Sequence, residues 1–94
     1  MATMLVRFKV QDYDAFRPQF ESGAETRKRF GCTGTHLFRN LDDPNEVTIN
    51  LQWDTLENAR RFLASDERRQ ALQRAGVIGE PEVWFVEDAG RTPS

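Results

Sequence analysis

The sequence predicts an α+β domain, a four-stranded antiparallel sheet with its helices on one face. Apolar and polar side chains alternate in residues 3–10 and 46–53, which is the period of a half-buried strand. Apolar residues recur at helical spacing after each of these segments. The 94 residues are 38% hydrophobic and 30% charged, enough for one core and too few for two. We expect a single domain over residues 1–88 and a flexible tail over residues 89–94.

The first strand and the helix after it carry clear local signals. Residues 3–10 form the strand, and Asp12 then offers an N-cap oxygen to the helix. The helical pattern pauses at Gly23 and resumes through Arg29, and Gly31 can adopt the left-handed conformation that ends a helix. The aromatic stripe of this helix consists of Tyr13, Phe16 and Phe20.

A hairpin is predicted next. Residues 32–41 carry Thr, Leu and Phe between two turn signals, and residues 46–53 show the cleanest alternation in the chain. The intervening sequence DDPN is typical of a tight turn, because Pro44 fixes φ and Asp and Asn side chains form local hydrogen bonds. The two segments are therefore expected to pair as antiparallel strands.

The length of the hairpin loop decides which face of the sheet His36, the only histidine, occupies. A four-residue loop places His36 opposite Leu51 on the side that faces the helices, and we favour this register. A five-residue loop from Leu41 to Asn45 places it opposite Asn50 instead, because a one-residue slip moves every side chain to the other face. The favoured register groups His36 with Phe38, Ile49 and Trp53.

The last third of the chain predicts a second helical region and a final strand. Asp54 and Glu57 form a loose capping box that begins a helix. Ser65 is expected to cap a further helical piece, which ends before a loop over residues 76–81. Residues 82–87 are rich in β-formers and predict the fourth strand.

The order strand, helix, strand, strand, helix, strand predicts the ferredoxin-like βαββαβ arrangement, with the first and third strands central and antiparallel. Both helical regions then lie on one face, which leaves the other face open. A second copy of the chain would cover the open face with a single surface, so we expect a homodimer. The side chains expected on the open face are Leu5, Arg7, Lys9, Thr48, Asn50 and Gln52, with Trp84 or Phe85.

Composition argues against several classes of partner. The 13 basic and 15 acidic residues are mixed along the chain, so we expect no nucleic-acid partner. The arginine pairs at residues 60–61 and 68–69 are expected on solvated helix faces. No segment has the length of a membrane span or the pattern of a signal peptide, which predicts no membrane partner and a cytoplasmic location. Cys32 is expected to be a partly buried strand residue, and one histidine with one cysteine predicts no metal site.

A family resemblance rests on four segments: VQDYDAFRPQF, RNLDDPNEV, the helix start from Asp54 to Phe62, and AGVIGEPEVWF. Together they cover most of the chain, which resembles the dimeric α/β-barrel superfamily of antibiotic-biosynthesis monooxygenases and some polyketide cyclases, especially its uncharacterised cyclase-like branch. The resemblance implies pairing of two chains through their sheets and a ligand cleft between sheet and helices. Haem degradation, as in the related haem-degrading branch, would need a histidine on the second helix, which residues 55–75 lack. The resemblance to cofactor-independent oxygenases implies that no cofactor is needed.

The candidate site centres on His36, because any imidazole acid or base must be this residue. On the opposite face, Arg7 and Asn50 are candidates to bind an acidic or carbonyl-bearing ligand inside the dimer barrel. For each candidate the alternative is ordinary packing or a structural hydrogen bond. The side chains expected to shape a pocket around His36 are Tyr13, Phe8, Phe38 and Trp53.

Two functions are compatible with these residues. The leading hypothesis is an enzyme of the cofactor-independent monooxygenase or cyclase type, acting on an apolar aromatic or polyketide-like metabolite. In that case the substrate supplies the reactivity, and the protein orients it and removes a proton. The alternative is a non-catalytic dimeric module that binds a small molecule or assists a larger enzyme.

Overall fold

The computed structural model describes residues 2–94 and confirms the predicted fold. The strands are β1 (Ala2–Val10), β2 (Cys32–Arg39), β3 (Glu46–Trp53) and β4 (Val77–Val86). They form one antiparallel sheet in the order β2-β3-β1-β4, with β1 and β3 central. The helices are α1 (Tyr13–Ser22), α2 (Ala24–Phe30), α3 (Leu56–Leu63) and α4 (Asp66–Arg74). Among residues 2–94, no helix is both long and apolar enough to cross a membrane.

The core lies between the helices and one face of the sheet. β1 and β3 pair so that their apolar side chains lie opposite one another, for example Val6 opposite Ile49. Phe16 of α1 and Phe62 of α3 are buried against this face. Burial of each such side chain contributes roughly 1.5–3 kcal/mol, so this face holds the helices in place. The buried apolar residues of the sheet are Met4, Val6, Phe8, Val10, Cys32, Val47, Ile49, Leu51 and Trp53.

Helices α1, α3 and α4 begin at side-chain caps, with one shift from the prediction. Asp12 and Ser65 cap α1 and α4 as expected. The N-cap of α3 is Thr55 rather than Asp54, since the Thr55 hydroxyl accepts a hydrogen bond from the Asn58 amide at 3.1 Å. The Asp54 carboxylate accepts instead from the Thr55 amide and the Asn58 side chain, at 2.7 and 3.0 Å. Both acceptors hold the junction between β3 and α3.

The predicted loop over residues 76–81 was wrong, because most of this segment belongs to β4. Val77 already pairs with Val10 of β1. The register between β4 and β1 shifts between the pairs Ile78–Lys9 and Glu82–Arg7. Gly79, within this part of β4, has a φ of 73°, which allows β4 to bulge and remain paired. Pro81 is tolerated because β4 is an edge strand. Glycine and proline here mark a bulge in an edge strand.

Gly31 fixes the connection between α2 and β2. Its φ is 114°, a conformation that residues with a Cβ rarely adopt, and a Cβ there would lie 2.5 Å from the Asp54 Oδ1 atom. Its carbonyl oxygen also accepts a hydrogen bond from the Asp54 amide at 3.0 Å. The glycine is therefore required both by conformation and by space.

We predict that Gly31→Ala lowers the free energy of unfolding by about 1–3 kcal/mol, because it combines backbone strain with a close contact. Urea denaturation measures the change. Gly34→Ala is the matched control, since an added Cβ there meets nothing within 4 Å, and it should change stability by less than about 0.5 kcal/mol. Equal losses in the two variants would contradict this account.

Candidate functional site

A cavity of about 70 Å³ lies between the helix-facing side of the sheet and the helices. Its sheet wall is entirely apolar and consists of Met4, Val6, Phe8, Ile49 and Leu51. The helices contribute further apolar side chains and only three large polar ones, namely Gln19, Arg27 and Arg68. An apolar space with a few convergent polar groups is the usual composition of a small-molecule site.

The cavity must widen to admit an organic guest, because ligand sites typically measure about 300–1,000 Å³. α1 and α3 are each held by buried side chains, including Phe16 and Phe62. α4 buries no side chain completely. Segments with few buried contacts separate from a domain at the lowest free energy, so α4 is the wall that a guest would displace most easily.

Two arginines bring charge to the cavity. Arg27 is only 9% exposed, and its Nη1 atom donates to the Phe20 carbonyl oxygen at 2.8 Å. Its guanidinium carbon lies 3.9 Å from the centroid of the Phe20 ring. Burial lowers the pKa of both Arg27 and Arg68, yet arginine remains charged because its ordinary pKa is so high. Within residues 2–94, neither guanidinium has a carboxylate oxygen within 4.0 Å.

The aromatic residues predicted to share one pocket do not all reach the cavity. Phe8 lines it, as expected. Trp53 faces the helices but is completely buried, with its ring centroid 5.2 Å from that of Phe62. Tyr13 lies outside the cavity at the start of α1, where the Arg39 guanidinium covers its ring at 4.3 Å. Only Phe8 of this set therefore contacts the cavity directly.

His36 and Phe38 lie on the open face of the sheet, so the favoured hairpin register was wrong. His36 pairs with Asn50 and Phe38 pairs with Thr48, which is the register of the five-residue loop. Both side chains are exposed, and their rings stack with centroids 4.3 Å apart. His36 is thus on the opposite side of the sheet from the cavity. A catalytic role for His36 stays a prediction, and it would have to operate on the open face.

Local hydrogen bonds explain the longer loop. The Asn40 side-chain oxygen accepts from the Asp42 amide at 2.8 Å, and the Asn40 amide donates to the Glu46 carbonyl oxygen at 2.9 Å. The Arg39 Nε atom donates to the Pro44 carbonyl oxygen at 2.8 Å. These bonds enlarge the turn beyond DDPN and leave the Leu41 side chain fully exposed in the loop.

Arg7 and Asn50 lie on the open face, where the sequence places them. The Arg7 guanidinium is 3.5 Å from the Glu46 carboxylate and 3.4 Å from that of Glu82. The Asn50 side-chain oxygen accepts from the Gln52 amide group at 2.8 Å. Both residues therefore already have partners within the chain.

Cys32 is a buried strand residue, as predicted. Its thiol donates to the Gly34 carbonyl oxygen at 3.5 Å, and burial raises the pKa of the thiol. It is therefore a neutral thiol at physiological pH, which is a poor nucleophile. No group of three or more histidine, cysteine, aspartate or glutamate side chains suited to a metal ion occurs within residues 2–94.

Sequence reasoning missed Arg27 and placed Arg68 on a solvated helix face, which was wrong. Arg68 shares a helical face with Ala71 and Leu72, three and four residues later, and all three line the cavity. This helical spacing could have placed Arg68 beside apolar residues. The arginine pair was instead interpreted as a unit, although only Arg69 is exposed and paired with Asp66.

A family model and solved structures both relate this chain to antibiotic biosynthesis monooxygenases. A sequence model of the antibiotic biosynthesis monooxygenase family matches residues 1–74. No curated protein matches the chain. SnoaB, a cofactor-independent oxygenase from Streptomyces nogalater, is 21% identical with a TM-score of 0.78, and the match covers 99% of this chain and 97% of that one.

Two further solved structures have the same fold. A candidate antibiotic biosynthesis monooxygenase from Deinococcus radiodurans is 19% identical with a TM-score of 0.69, over 100% of this chain and 98% of that one. Another from Caulobacter crescentus is 16% identical with a TM-score of 0.74, over 95% and 90%. At these identities the structures establish a shared fold.

Proposed function

The chain belongs to the antibiotic biosynthesis monooxygenase family, and on that premise we propose that it is a small-molecule enzyme of the cofactor-independent monooxygenase type. Its substrate is an apolar aromatic or polyketide-like metabolite that binds between the sheet and the helices. The observation that supports this most directly is the apolar cavity in that position. SnoaB, whose fold this chain shares, is a cofactor-independent oxygenase.

The chemistry of this class resides largely in the substrate. A methylene group between aromatic or carbonyl groups loses a proton, and the resulting carbanion can pass an electron to dioxygen. Overall, the CH2 group and O2 give a C=O group and H2O, so no external reductant is consumed. The protein contributes by binding and orienting the substrate.

The cavity itself supplies no base. Its lining residues include no histidine, aspartate, glutamate, lysine or cysteine, so the proton of the substrate would leave to solvent at the cavity mouth. The same observation favours a second candidate, a binding or accessory module without catalysis. Oxygen uptake distinguishes the two, and conversion of substrate without oxygen uptake would indicate cyclase chemistry.

We predict that the protein accelerates oxygen uptake by a panel of anthrones and that Ala71→Phe reduces this turnover about tenfold or more, because the added ring fills the cavity lined by Ala71. An oxygen electrode measures the rate. Ala15→Phe is the matched control, since Ala15 is exposed on α1. Equal turnover in both variants would place the reaction elsewhere, and no acceleration by the wild type would support the non-catalytic module.

His36→Ala tests which face of the sheet carries the chemistry. Because His36 lies on the open face, we expect turnover within about twofold of the wild type, as for most surface substitutions. The same oxygen uptake assay applies. A loss of about tenfold, the size expected for removal of a general base, would move the site to the open face beside Asn50.

We also propose that two copies pair through their open sheet faces and that the protein acts in the cytoplasm. Trp84 lies on this face opposite Leu5 and is 44% exposed. Phe38, on the same face, is 50% exposed. Exposed apolar rings on a sheet face are typical of a protein interface, and a twofold axis would cover both with a single surface.

Sedimentation tests the pairing. We predict that the wild type sediments at twice the chain mass of 10.9 kDa, and that Trp84→Glu sediments at the chain mass at micromolar concentration. Loss of an interface aromatic commonly costs about 2–4 kcal/mol. Leu41→Glu is the control, because Leu41 is fully exposed in the hairpin loop. A monomeric wild type would refute the dimer.

A further inference from the structure

The arginines that line the cavity differ from the arginines that form ion pairs. Arg7, Arg17 and Arg69 each contact a carboxylate and are largely exposed. Arg27, by contrast, is the one charged residue among the buried residues of the part of the chain that the structure describes. A buried charge without a counter-ion is costly unless a ligand or hydrogen-bond acceptor compensates it. The Phe20 carbonyl oxygen supplies one acceptor to Arg27, but no carboxylate of the described residues neutralises its charge, which leaves that role open to an acidic ligand.

Arg27 is held in a defined orientation. The Phe20 ring lies against its guanidinium, and the Phe20 carbonyl oxygen accepts one hydrogen bond from Nη1. Gly23 provides the space, since a Cβ at that position would lie 2.9 Å from Nη1. A guanidinium has five N–H donors, and no other side-chain hydrogen bond of Arg27 occurs within residues 2–94. The remaining donors are therefore available to an acceptor, on a guanidinium whose position is already fixed.

Arg68 approaches the same cavity from α4. It is partly buried and has no carboxylate within 4.0 Å in the described part of the chain. Glu80 of β4 acts on it only as a more distant charge. Arg27 of α2 and Arg68 of α4 both line this one small cavity, so a guest bound there lies beside both residues. Opposite them, the sheet wall offers only apolar side chains.

We propose that Arg27 and Arg68 form a carboxylate-binding pair, so that the substrate is an organic acid whose apolar body lies on the sheet and whose carboxylate lies between the two guanidinium groups. Arginine suits this role because its planar donor fork matches a carboxylate in two parallel hydrogen bonds. The proposal rests on the cavity being the substrate site of the proposed enzyme, and it specifies the chemical class of that substrate.

Calorimetric titration with 2-naphthoate and its uncharged analogue 2-naphthamide tests the pair. The wild type should bind the acid about tenfold more tightly than the amide, as charge-assisted hydrogen bonds predict. Arg68→Gln and Arg27→Gln should each remove most of this preference and leave the affinity for the amide within about twofold. Arg74→Gln and Arg29→Gln are matched controls on the same helices, because both residues are exposed, and they should keep the preference.

Circular dichroism checks the fold of each variant, since Arg27 also binds the end of α1. Arg27→Lys retains the charge and should recover part of the preference, whereas Arg68→Gln removes no side-chain hydrogen bond to any residue in the range 2–94. Equal binding of acid and amide to the wild type, or an unchanged preference in both glutamine variants, overturns the proposal and leaves the oxygenase function intact. If neither compound binds, the proposal is overturned as well. The oxygenase function is then tested separately, by oxygen uptake with uncharged anthrones.

Discussion

The pairing of β1 with β3 is the constraint on which the rest of this structure depends. Its register places Met4 opposite Leu51 and Val6 opposite Ile49, so the apolar side chains of the two central strands lie on one face, with Leu5 as the exception. A slip of one residue would exchange the two faces completely. The floor of the cavity, the attachment of the helices and the composition of the open face all follow from this single register.

The sheet and the helices contribute chemically different walls to the cavity. The sheet provides an apolar floor in which neighbouring side chains are tightly packed, whereas the charged groups of the cavity come from helices, Arg27 from α2 and Arg68 from α4. α4 buries no side chain completely, so the wall that carries Arg68 is also the wall that separates most readily. In the proposed complex, α4 would therefore both move to admit the guest and supply one of the two arginines.

The sequence was informative where the pattern was long and local, and uninformative where short-range hydrogen bonds decided the outcome. The alternation in β1 and β3 predicted the central strands, and the caps at Asp12 and Ser65 predicted the starts of α1 and α4. The hairpin register failed because the Asn40 side chain extends the turn, which no periodicity reports. Arg68 was misplaced because an arginine that lines a cavity and one that faces water look alike in sequence.

The central claim is that a guest binds on the helix side of the sheet and leaves the open face untouched. Methyl NMR spectra recorded during titration with 2-naphthoate test it most directly. The account predicts shifts for the methyl groups of Val6, Ile49 and Leu51, which line the cavity, and none for Leu5 and Val86, which lie on the open face. Shifts confined to Leu5 and Val86 would contradict it.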